Sequence, residues 1–134
     1  MNTVFVDTSF YIAFSSPKDR WHEAAKSFAR DFSGVMLTTE FVLLELANHL
    51  CAPQDRTLFP RFHEMLRNDA KTTIVPASSA CIQDGLSIYA ARPDKAWSLT
   101  DCISMAVMQQ HGLTDALTAD CHFEQAGFRL LLQA

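Results

Sequence analysis

The chain opens on a short apolar run without polar alternation, Thr3-Val4-Phe5-Val6, the pattern of a strand buried on both faces and hence of a parallel sheet. A short helical stretch over Thr8–Ala13 follows, then a loop marked by Ser15, Ser16 and Pro17. Trp21, Ala24, Ala25, Phe28, Ala29 and Phe32 next fall at i, i+3, i+4, i+7, i+8 and i+11, the stripe of an amphipathic helix. Gly34 ends it, and Val35–Thr38 reads as a second strand. Glu40–Leu50 is apolar nearly all round and predicts a buried helix. Leu58, Phe59, Phe62, Met65 and Leu66 give the next helix one apolar face, with Pro60 in or near its first turn. Thr72–Val75 reads as a third strand, Ser78–Ala91 as a helix turning Ile82, Leu86 and Tyr89 inward, and Leu99–His111 as a helix closed by Gly112. Asp115–Ala119 and Phe128–Leu132 supply two last strands, separated by a short helix and a turn containing Gly127. This alternation predicts an α/β fold, a three-layer α/β/α sandwich on a central parallel sheet of about five strands.

Composition narrows the class. At 134 residues, with 49% hydrophobic and 19% charged, the chain is expected to be one domain over 1–134 with no internal repeat or linker. No apolar run approaches the ~18 residues of a membrane span, and Asp7 interrupts any signal-like stretch, so a cytoplasmic protein without membrane contact is expected. Cys51, Cys81, Cys102 and Cys121 form no Cys-x-x-Cys pair and read as reduced, mostly buried side chains. The net charge of −4 is the wrong sign for a broad basic surface that binds nucleic acid. Asp101, Asp115, Asp120 and Glu124 are balanced in the last third only by Arg129, however, and a divalent cation held there would reverse the local sign.

Four carboxylates stand where chemistry is expected, each with a plainer reading beside it. Asp7 follows the first strand, where an open α/β sheet presents side chains to a ligand, but it also suits a helix N-cap. Asp120 repeats that position after the fourth strand. Glu45 interrupts the apolar run Phe41–Leu46, where it either faces a site or joins Asn48 and His49 in one solvated stripe. Asp101 completes Ser98-Leu99-Thr100-Asp101, a capping-box pattern that explains it without function. If the four converge, they repel and raise one another's pKa unless a cation neutralises them, and an all-oxygen site selects Mg²⁺ or Mn²⁺ over zinc.

Four blocks in this order make the chain resemble the PIN-domain ribonucleases, and in particular the VapC-type toxins of prokaryotic toxin-antitoxin pairs. They are Val4-Phe5-Val6-Asp7-Thr8-Ser9, Leu44-Glu45-Leu46-Ala47-Asn48, Trp97-Ser98-Leu99-Thr100-Asp101-Cys102 and Leu117-Thr118-Ala119-Asp120-Cys121-His122-Phe123. The resemblance implies strand order 3-2-1-4-5 and a metal site in which Asp7, Glu45, Asp101 and Asp120 match the acidic positions. Thr8, Ser9 and Thr100 match the hydroxyl positions beside them. It implies a Mg²⁺-dependent endoribonuclease, with Mn²⁺ as a substitute, in which Asp7, Asp101 and Asp120 are metal ligands and Glu45 orients or deprotonates the attacking water. Such hydrolysis leaves the 2′-hydroxyl unused, so products carry 5′-phosphate and 3′-hydroxyl ends. A partner antitoxin placing a basic side chain near the carboxylates, and a homodimer, are also implied.

Lys18, Arg20, Arg56, Arg92 and Lys95 are the loop-borne cations available to RNA phosphates. Trp21 and Trp97 read as packing, and Tyr11 stacks on bases only if exposed. His22, His49, His63, His111 and His122 have no metal-ligand spacing and read as surface or core residues. A phosphatase of the haloacid-dehalogenase kind needs a second acid where Ser9 stands, and a serine hydrolase needs a G-x-S-x-G string that is absent. Two alternatives persist: a stand-alone RNA-processing nuclease, and a non-catalytic PIN-like module whose acids receive a partner's basic side chains.

Overall fold

The computed structural model describes residues 2–132. Its five strands, β1 (Thr3–Val6), β2 (Val35–Thr39), β3 (Thr72–Val75), β4 (Asp115–Leu117) and β5 (Arg129–Leu130), form one parallel sheet in the order β3-β2-β1-β4-β5. Val4, Phe5 and Val6 are fully buried, as their unbroken apolar run requires. β1 pairs through Phe5 with Leu37 on one side and with Ala116 on the other. The order therefore reverses between β1 and β4, which opens a crevice at their carboxyl ends. Asp7 directly follows β1, and Asp120 comes three residues after β4.

Seven helices flank the sheet: α1 (Thr8–Ser15), α2 (His22–Asp31), α3 (Glu40–His49), α4 (Leu58–Asn68), α5 (Ser79–Ala91), α6 (Leu99–Gln110) and α7 (Cys121–Gln125). Each predicted element is present, and Pro60 lies in the first turn of α4. Thr39 caps α3 by accepting from the Val42 amide, and Gly112 leaves α6 at φ +64. The last two strands are shorter than expected. β4 ends at Leu117 because the Thr118 amide turns back to the Ala116 carbonyl, 3.0 Å away, and Gly127 at φ +97 delays β5 to Arg129.

Two expected burials are corrected. In α5 the helix turns Gly85, not Ile82, Leu86 and Tyr89, onto α6: a Cβ at Gly85 would lie 2.4 Å from Ile103 Cγ1. That close approach is open only to glycine, and it leaves Ile82, Leu86 and Tyr89 at 36%, 39% and 51% exposure. In α3 the sheet-facing side buries Val42, Leu43 and Leu46, while Leu44 is 60% exposed. Of the cysteines only Cys102 is buried; all four are free thiols.

The five-residue helix α7 is too short to be stable alone and is held by its neighbours. Phe123 is fully buried, stacked on Phe5 with ring centroids 6.4 Å apart. The indole N–H of Trp97, just before α6, donates to Gln125 Oε1 at 3.0 Å. These two anchors fix α7 against the sheet and against the start of α6, which sets the crevice's outer wall.

Candidate functional site

Asp7 is 5% exposed and occupies the N-cap position of α1, yet its side chain makes no capping bond. Its carboxylate turns instead toward the β4 end of the sheet. Asp7 Oδ2 accepts from Thr118 Oγ1 at 2.9 Å and, more weakly, from Ser9 Oγ at 3.4 Å, while the two hydroxyls lie 2.8 Å from each other. Burial raises the Asp7 pKa to about 6, with the charges of Asp101 and Glu45 adding to the rise and hydrogen bonds from Thr118 and the Thr8 amide opposing it. Carboxylates on three elements thus bear on one another.

Asp101 forms the predicted capping box at the start of α6. Its amide donates to Ser98 Oγ at 3.0 Å, and its Oδ2 accepts from the Ser98 amide at 3.1 Å. Capping uses one carboxylate oxygen, so the structural and the chemical readings of Asp101 are compatible. Glu45, half-buried on α3, accepts from Thr8 Oγ1 at 2.5 Å through Oε1. Asn48 and His49 on the same helix are exposed, so Glu45 faces inward from the edge of that polar stripe. Asp120 caps α7 through Oδ1, which accepts from the His122 amide at 2.9 Å.

A single rule describes all four acids. Each is pinned by protein donors through one oxygen, and its other oxygen receives no side-chain donor among the described residues. The four acids come from four separate chain segments: Asp7 feels the charges of Asp101 and Glu45, Thr118 joins Asp7 to Asp120, and His122 joins Asp101 to Asp120, so their oxygens are of the kind that could hold a hard divalent cation. Burial is the main cause of the raised Asp7 pKa, and the Asp101 and Glu45 charges add a smaller part.

The supporting residues divide. Thr8 donates to Glu45, and Ser9 lies more loosely against Asp7 at 3.4 Å. Thr100 makes no side-chain hydrogen bond among the described residues and stands half-buried in the first turn of α6. Thr118 and His122 stand in the fourth block, and each contacts two of the acids although sequence reasoning gave them no role. Thr118 is fully buried and also accepts from the Asp120 amide at 3.0 Å, which links Asp7 to Asp120 through one hydroxyl. His122, read as a bystander, has its ring Nδ1 2.9 Å from Asp101 Oδ2 and 3.5 Å from Asp120 Oδ1.

The basic candidates lie outside this cluster, and among the described residues none of the five pairs with the four acids. Lys18 and Arg20 are exposed between α1 and α2, with Arg20 stacked 4.6 Å over Trp21. Arg56 donates to the Cys51 carbonyl, and Arg92 is held by both oxygens of Asp94 at 3.0 Å and covers the buried Trp97. Lys95 is half-buried in the same loop. Tyr11 is 2% exposed, which removes it as a base-stacking residue.

Comparison with known proteins bears on the chain as a whole. Mycobacterium tuberculosis VapC20, described as a 23S rRNA-specific endonuclease, is 26% identical over 128 residues, covering 93% of this chain and 95% of that protein. The crystal structure of that VapC20, described as a Sarcin-Ricin loop cleaving toxin, is similar with a TM-score of 0.85 at 24% identity over 93% of this chain and 95% of the other. A DNA-bound VapBC structure from Salmonella typhimurium gives a TM-score of 0.69 at 16% identity over 97% of each chain. No helix among the described residues is long and apolar enough to cross a membrane. The PIN domain family matches residues 4–129, nearly the whole chain, and this protein belongs to that family.

Proposed function

We infer that this chain is a divalent-metal-dependent endoribonuclease, the toxin of a toxin-antitoxin pair, with Mg²⁺ as its working cation and Mn²⁺ as a substitute. The observation that carries this reading is the anchored-and-open arrangement of Asp7, Glu45, Asp101 and Asp120. The similarity to an endonuclease over 93% of the chain supports it. Asp7, Asp101 and Asp120 are the residues that would hold the cation. A cation there neutralises their charge, lowers the pKa of water and stabilises charge on the phosphate and leaving oxygen.

The chain's own contribution is positioning. Thr8 fixes one oxygen of Glu45, so the other is oriented to accept the proton of an attacking water. That water adds to phosphorus in line as the bond to the 3′-oxygen breaks, and the 3′-oxygen leaves as a hydroxyl after taking up a proton. Thr118 and Ser9 hold Asp7 against rotation, and the capping box does the same for Asp101.

Lys18, Arg20 and Lys95 make no ion pair among the described residues and are the readiest contacts for RNA phosphates; Arg56 and Arg92 must first leave their present partners. An antitoxin's Arg or Lys entering the carboxylate cluster would compete with the cation for the same charge. The exposed apolar side chains Ile82, Leu86 and Tyr89 on α5 support assembly as a homodimer.

The test is incubation of bacterial total RNA with purified protein in Mg²⁺, Mn²⁺ or EDTA, beside Asp7→Asn and Asp101→Asn variants. Discrete metal-dependent fragments that both variants fail to produce bear out the reading, and mapping them shows whether 23S rRNA is the target. Folded, metal-loaded protein that leaves every RNA intact favours a partner-binding module instead.

A further inference from the structure

His122 joins two of the four acids in a way that the acidic pattern does not anticipate. Its backbone amide donates to Asp120 Oδ1 at 2.9 Å, and its ring Nδ1 lies 2.9 Å from Asp101 Oδ2. Asp101 sits on α6 and Asp120 at the head of α7, so one residue joins the two chain segments whose acids would hold the cation. Two carboxylate oxygens face the ring Nδ1, Asp101 Oδ2 at 2.9 Å and Asp120 Oδ1 at 3.5 Å. A lone pair on Nδ1 would face theirs, so Nδ1 carries the proton and donates.

We propose that His122 is a positioning residue of the cation site: its Nδ1–H, together with the Ser98 amide, occupies Asp101 Oδ2 and so commits Oδ1 of that carboxylate to the cation. The proposal rests on the nuclease reading above, because it assigns Asp101 as a ligand. It competes with a plainer alternative. Asp120, Cys121 and His122 offer three donor atoms within 4.8 Å of one another, a grouping that could hold a softer metal. In the present arrangement the imidazole Nδ1 is engaged by Asp101, so a metal could reach the ring only through Nε2, and the two His122 variants below separate that role from the positioning one. Metal sites commonly depend on such outer hydrogen bonds, whose removal weakens affinity by about 10- to 100-fold.

The experiment is Mn²⁺ titration by calorimetry of the wild type, Asp7→Asn, His122→Ala and His122→Asn, with thermal melting of each in EDTA. Asparagine places an amide N–H close to where Nδ1–H stands, whereas alanine places nothing there. The expected result is Mn²⁺ affinity about tenfold or more weaker in His122→Ala and restored to within about threefold of wild type in His122→Asn. Melting in EDTA shows whether a weakened variant is folded, and the asparagine variant keeps the comparison decisive if alanine loosens α7. Wild-type affinity in a folded His122→Ala overturns the proposal. Equal weakening in both variants also overturns it, because the imidazole would then serve as a ligand. Absence of Mn²⁺ binding by the wild type, or its persistence in Asp7→Asn, is the distinct result that removes the underlying site assignment.

Discussion

Thr118 Oγ1 donates to Asp7 Oδ2 across 2.9 Å, joining residues 111 apart in sequence at the point where the strand order of the sheet reverses. The hydroxyl is fully buried and accepts in turn from the Asp120 amide, so it sits between the two strand-end acids. Replacing it with the isosteric valine keeps the packing and removes the donor. Thr118→Val is expected to push the Asp7 carboxyl above about 6, since the hydrogen bond that opposes burial is gone. The acid limb of the cleavage pH profile then moves to higher pH, and the metal-free protein loses about 1–2 kcal/mol at neutral pH. An unchanged acid limb in a folded variant would show that Asp7 does not set it.

Asp7 itself makes the metal-free protein pH-sensitive. Its folded pKa of about 6 lies above the ordinary 3.8, so the folded state binds its proton more tightly than the unfolded state. The associated stability is fully present below the ordinary value and is lost as pH rises through about 6, a change of about 3 kcal/mol. Denaturation in EDTA should therefore show stability falling between roughly pH 4 and pH 7. Asp7→Asn should flatten that fall and be the more stable protein at pH 7.5. Parallel curves for the two proteins would contradict the assignment.

Divalent cation should reverse the same penalty. At pH 7.5, Mg²⁺ or Mn²⁺ is expected to raise the melting temperature of the wild type, by the mass-action stabilisation of a ligand that binds only the folded state. Asp7→Asn and Asp101→Asn should lose most of that rise. Acidifying to pH 5 should shrink it in the wild type, because Asp7 must give up its proton to bind the ion.

Gly85 tests the packing that positions Asp101 on α6. Gly85→Ala places a Cβ 2.4 Å from Ile103 Cγ1 and 3.0 Å from the Ile103 amide, so α5 and α6 must part. The expected loss is about 1–3 kcal/mol, partly offset by the better helix propensity of alanine. Thermal melting measures it, and a more stable variant would mean that the two helices separate without cost.

How legible the site was depended on the range of the interactions that build it. The buried strand before Asp7, the capping box at Asp101 and the polar break at Glu45 are local signals, and the resemblance carried by their blocks implies the strand order 3-2-1-4-5 that the sheet has. Thr118 and His122 gain their roles from atoms supplied 111 and 21 residues away, so no periodicity marks them. The inward face of α5 was misread for a related reason. Ile82, Leu86 and Tyr89 have helical spacing, but a glycine's close approach to Ile103 outweighs an apolar stripe when two helices pack. Capping and ligation at Asp101 stood as rivals in the sequence because a letter does not distinguish the two oxygens of a carboxylate.

The central claim is that these four acids direct water, not the ribose 2′-hydroxyl, at phosphorus. Its most direct test is end analysis of RNA fragments produced in Mg²⁺, with Asp7→Asn and Asp101→Asn reactions alongside. The expected products carry 5′-phosphate and 3′-hydroxyl termini and vanish in EDTA and in both variants. Fragments bearing 2′,3′-cyclic phosphates, or cleavage that survives EDTA and both substitutions, would contradict it.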